Sequence, residues 1–85
     1  MKELQQGIFD DFDNPQLIWE IYGELLDIYD DGSFTAAQIA YETGYSKKLI
    51  NKVLYRLLKH KAVKQTYIDH WGVKHYSLNH EFTGN

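Results

Sequence analysis

TAAQIAYETGYSKKLINKVLYRLLKHK, residues 35–61, holds two helices and the break between them. Thr35 followed three residues later by Gln38 is a capping box, in which hydroxyl and amide satisfy each other's backbone N–H groups. The helix it starts is expected to run to about Thr43. Gly44 is placed to close it in a left-handed conformation, which glycine adopts without a Cβ penalty. Tyr45 lies in the turn, and Ser46 caps a further helix running from Lys47 to about His60. A link as short as Thr43-Gly44-Tyr45-Ser46 suits a helix-turn-helix step.

Upstream, Asn14-Pro15 gives a helix start, with Asn as the cap and Pro at the first helical position. Ile18, Ile21, Tyr22, Leu25, Ile28 and Tyr29 follow at helical spacing, and Asp30-Asp31-Gly32 ends that helix. Ser33-Phe34 reads as a stub of strand. Downstream of Lys61 the pattern changes. Val63 to Tyr67 and Val73 to Leu78 are rich in β-branched and aromatic residues and flank the turn signals Asp69-His70-Trp71-Gly72, which predicts a hairpin. Helix, stub, helix, helix, hairpin is the order of an α+β winged helix-turn-helix, three helices plus a C-terminal β-hairpin wing. The expected organisation is an acidic arm or extra turn over residues 1–14, the winged-helix domain over 15–80, and a tail over 81–85.

The 85 residues suffice for one small domain, and their 44% apolar and 15% aromatic content argues for a folded chain. Cysteine is absent, so there is neither a disulfide frame nor a thiolate metal site. No apolar run approaches the roughly 20 residues of a membrane span, and the start, MKELQQGIFDDFDN, is too acidic for a signal or transit peptide. The cytoplasm or nucleus is the expected location, and no membrane partner is expected. The net charge of −3 conceals an asymmetry: residues 1–45 carry ten acids against one base, whereas residues 46–85 carry eight bases against two acids and all four histidines. Such a chain is dipolar, with one basic surface.

That surface is one face of the third helix. At about 100° per residue, Leu49, Ile50, Val53, Leu54 and Leu57 form the apolar stripe, with Leu58 at its edge. Lys48, Asn51, Lys52, Tyr55 and Lys59 cluster on the opposite side, flanked by Lys47 and Arg56. Tyr55 points almost directly away from the stripe. Single exposed aromatics are ordinary on protein surfaces, and a wing folded over the ring would also account for it. A flat π-face among cations and an amide is, however, the composition of a nucleic-acid contact surface.

The run Lys47-Lys48-Leu49-Ile50-Asn51-Lys52-Val53-Leu54-Tyr55-Arg56-Leu57 resembles the recognition helix of the Z-alpha domains, winged helices that bind left-handed DNA and RNA and occur in interferon-induced proteins and their viral antagonists. Thr35-Ala36-Ala37-Gln38-Ile39-Ala40 is similar to the start of that family's second helix, and the likeness covers about residues 15–80. The resemblance implies a module of an innate-immune protein or its viral antagonist, acting as a monomer, with one or two copies on a double-stranded DNA or RNA in the Z form. It implies that Tyr55 lies against a base in the syn conformation, that Asn51 bonds a phosphate directly or through water, and that Lys47, Lys48 and Lys52 hold the zigzag phosphates. Recognition would be of shape, with little sequence read.

The wing departs from the family pattern of two prolines before a tryptophan, because the only proline here is Pro15. By strand register Tyr76 best matches that tryptophan, with Trp71 at the tip as the alternative. One of the two is expected to brace Tyr55 edge-to-face. Lys74, His70 and His75 are candidates for phosphate contacts. Strand packing is the competing reading for Tyr76, and folding onto the domain is that for Trp71.

The nucleic-acid-binding set is therefore Lys47, Lys48, Asn51, Lys52, Tyr55, Arg56, Lys59, Trp71, Lys74 and Tyr76. No enzyme, cofactor or metal is expected. No carboxylate pair, nucleophile elbow or phosphate loop is present. His70 and His75, an odd number of residues apart on a strand, would face opposite ways. The acids at 10–13 and 30–31 read as solvating helix ends. The alternative function is a winged-helix regulator that reads right-handed DNA in the major groove, with residues 1–14 able to dimerise it. A weaker one is a winged helix that binds protein alone.

Overall fold

The structure, a computed structural model, describes residues 14–82. The expected acidic arm, apart from Asn14, and the last three residues lie outside them. The described chain is an α+β domain of three helices and a three-stranded antiparallel sheet, an arrangement compatible with a winged helix. The elements are α1 (Pro15–Ile28), β1 (Ser33–Phe34), α2 (Ala36–Thr43), α3 (Lys47–Lys59), β2 (Val63–Ile68) and β3 (Lys74–Leu78).

Each helix begins where the sequence places a cap. The Asn14 side chain accepts from the Leu17 amide at 3.3 Å ahead of Pro15. Both halves of the Thr35–Gln38 capping box form, at 2.8 and 3.2 Å. Ser46 Oγ accepts from the Leu49 amide at 3.1 Å. Gly44 has φ +83°, and its N–H donates to the Ala40 carbonyl, closing α2 in the left-handed conformation that a side chain resists.

The core lies where α1, α2 and α3 meet one face of the sheet. Ile18, Ile21 and Leu25 of α1, Ile39 of α2, and Ile50, Val53 and Leu57 of α3 are all but inaccessible to solvent. Ile28 departs from the expected stripe on α1. It is 40% exposed, because the helix ends there and Tyr29 turns its ring onto Phe34 instead, centroids 4.9 Å apart. Packing also continues beyond residue 80. Phe82 lies against Trp19 and Tyr22 of α1, with centroids at 6.4 and 5.5 Å.

The two-residue strand β1 pairs antiparallel with β3, setting Phe34 opposite Tyr76, and β3 pairs in turn with β2. The sheet order is β1-β3-β2, so β2 is an edge. The β2–β3 ladder shifts register between Gln65 and Tyr67, a bulge that accommodates Thr66. Beyond Val63 every residue of β2 is exposed. The far half of the hairpin therefore projects beyond the core. Asn79 ties the returning chain to the exit of α3: its N–H donates to the Ala62 carbonyl at 3.0 Å and its side-chain amide to the Lys61 carbonyl at 2.7 Å.

Candidate nucleic-acid interface

The amphipathic pattern of α3 positions the site. Burial of Ile50, Val53, Leu54 and Leu57 fixes the rotation of the helix, and that rotation turns Lys47, Lys48, Asn51, Lys52, Tyr55 and Lys59 outward. Tyr55 is 65% exposed. Arg56 is placed over its ring, the guanidinium carbon 6.0 Å from the centroid, the outer limit for a cation–π contact. Arg56 itself is half-buried.

A groove of 540 Å³ runs between α3 and the hairpin. Lys47, Asn51 and Tyr55 form its helix wall, and Gly72, Val73, Lys74 and Tyr76 form the facing wall. Ala36 and Ala37 at the start of α2 also border it, and their small side chains leave the space open. Five of the expected residues, Lys47, Asn51, Tyr55, Lys74 and Tyr76, thus share one concavity. Lys48, Lys52, Lys59 and Trp71 are exposed outside its lining.

The two aromatic candidates for bracing Tyr55 are placed differently from one another. Tyr76 is 6% exposed, belongs to the core cluster, and stacks on Phe34 with centroids 6.3 Å apart. It borders the groove from within the core rather than standing over it, and burial pushes its phenol pKa up. Trp71 is 77% exposed at the hairpin tip, its ring 3.8 Å from that of His70. Among the described residues neither ring pairs with Tyr55.

The hairpin turn contains a residue whose role the sequence reading left at a turn signal. The Asp69 N–H donates to the Val73 carbonyl at 3.0 Å, and the Asp69 carbonyl accepts from Gly72 N–H at 2.9 Å. Gly72 has φ +83°. This is the three-residue hairpin loop that ends in a left-handed glycine. The Asp69 carboxylate accepts from the Trp71 and Val73 amides through Oδ1, at 2.9 and 3.0 Å, and meets His75 Nε2 through Oδ2 at 3.0 Å. The His75 bond first, and the two amides with it, hold the Asp69 pKa below its ordinary value. His75 also stacks nearly parallel on Tyr67, 4.3 Å away. Held on two sides, His75 is a structural residue of the hairpin, whereas His70 is exposed beside Trp71. The signal for Asp69 was present in the sequence: an aspartate three residues before a glycine, between two strand-like runs.

Among the described residues no group of three His, Asp or Glu side chains could hold a metal ion, and no helix is long and apolar enough to cross a membrane. No protein-family model, no curated protein and no solved structure matches the chain.

Proposed function

We propose that this chain is a winged helix of the Z-alpha type that binds double-stranded DNA or RNA in the left-handed form and stabilises that form. The observation that carries the reading is the 65% exposed Tyr55 at the centre of a basic helix face, with Asn51 and Lys47 beside it along a groove that Lys74 borders from the hairpin. In this reading α3 is the recognition helix and β2–β3 the wing. Tyr55 meets a base in the syn conformation, Asn51 reaches a phosphate, and Lys47, Lys48, Lys52 and Lys74 neutralise the zigzag backbone. Arg56, Lys59 and Trp71 add contacts at the margins. Tyr76 supports the groove from below. Left-handed geometry exposes base edges and crowds phosphates, and a ring surrounded by cations is complementary to both. The protein shifts the duplex by its differential affinity for the two hands and by nothing else.

Circular dichroism of an alternating CG duplex tests the reading. Added protein is expected to invert the spectrum near neutral pH and at moderate salt. A spectrum that stays right-handed at saturating protein overturns it.

One observation favours a second reading. Tyr55 lacks the brace that an aromatic on the wing would provide, since Tyr76 pairs with Phe34 and Trp71 with His70. A helix face with an unbraced tyrosine would also suit the major groove of right-handed DNA. Tight binding to a mixed-sequence duplex with its right-handed spectrum unchanged would select that function.

A further inference from the structure

The core holds only the base of the hairpin, through Val63, Tyr76 and Leu78, and the outer half must keep its shape without it. All of β2 beyond Val63 is exposed, and the chain's only proline is Pro15, so no ring closure fixes a backbone angle in the loop. Two features supply order instead. The left-handed Gly72 completes the turn. The Asp69 carboxylate gathers the Trp71 amide, the Val73 amide and His75 Nε2 within 3.0 Å, and Tyr67 covers the far side of the His75 ring. Successive strand residues face opposite sides. His75 and its cross-strand partner Tyr67 therefore lie on the back of the hairpin, while Lys74 and Tyr76 face the groove. The clasp thus leaves the groove clear, yet it fixes the backbone of Val73, which lines that groove next to Lys74.

We propose that Asp69 is a positioning residue for the nucleic-acid face, holding the hairpin tip so that Lys74 and Trp71 stand where a duplex backbone passes. The proposal rests on the function given above and adds a residue that touches no nucleotide. An aspartate alone in a flexible loop would set only a local turn. Here the same carboxylate joins the loop, through Trp71 and Val73, to the paired strand, through His75. Loosening it releases the tip and the Lys74 wall together.

Amide hydrogen exchange and duplex titration on Asp69→Ala and Asp69→Asn test this, with far-ultraviolet dichroism reporting that the helices remain. Asp69→Ala should speed exchange at the Trp71 and Val73 amides and weaken binding to the alternating CG duplex about tenfold, the scale of one lost Lys74–phosphate contact. The slope of log K against log salt should become shallower by about one, because the Lys74 phosphate contact is lost. Asp69→Asn keeps an oxygen that accepts both amides and should restore most of the affinity. Unchanged exchange in Asp69→Ala overturns the clasp. Faster exchange with unchanged affinity and slope overturns the positioning role while leaving the function standing. A wild-type chain that binds no duplex removes the function, and the proposal with it.

Discussion

Tyr55 and Tyr76 show how much one residue's surroundings decide. Both are tyrosines bordering the same groove, yet Tyr55 is 65% exposed and Tyr76 6%. Replacing Tyr55 with alanine should weaken duplex binding by roughly 1–3 kcal/mol, the range for an aromatic lying against a base, while the helical dichroism stays as it is. Titration of a labelled duplex reads the loss. The outward position of Tyr55 was legible because helical periodicity is local. That of Tyr76 was not, because strand alternation gives two faces without saying which meets the core. Only the pairing of Phe34 with Tyr76 decides it. Asp69 carries a prediction of its own. Its pKa is lower in the folded chain than in the unfolded one, so its contribution to stability is complete above the unfolded value. That contribution is lost as the pH falls through the folded value, below about pH 4. Protection of the Trp71 and Val73 amides, taken against their intrinsic exchange rate at each pH, should fall across that acid range in the wild type, and Asp69→Asn should lack that step.

The elements follow from short-range signals, which is why their order was readable. Asn14, Thr35 and Ser46 each cap the helix they precede, and Gly44 closes the one it follows. Gly44→Ala tests the closing residue directly. A Cβ there would meet nothing within 4 Å, so the cost is that of the left-handed backbone alone, roughly 1–2 kcal/mol. Chemical denaturation should show it as a lower midpoint with an unchanged slope. The partner of β1 was not legible. Two residues carry no register information, and the pairing with β3 joins segments more than forty residues apart. The end of α1 was misread at Ile28 for a related reason: periodicity continues past the point at which Tyr29 finds a better contact on Phe34.

At the scale of the whole molecule, charge is the organising quantity. The acids of the first half and the bases of the second make a protein of net charge −3 that nevertheless presents a basic helix face. Net charge would have argued against a polyanionic ligand, and its distribution argues for one. If four to six phosphates are neutralised, log K should fall against log salt with a slope of roughly −4 to −5. Titrations at several salt concentrations measure it, and a flat response would favour a protein partner. The contact of Phe82 with Trp19 and Tyr22 bears on the molecule in a different way. It brings the last described turn of chain back beside the first helix, only a few residues after Asn14. Cutting Phe82 back to alanine should therefore uncover part of the Trp19 ring, which a red shift of the tryptophan emission would report.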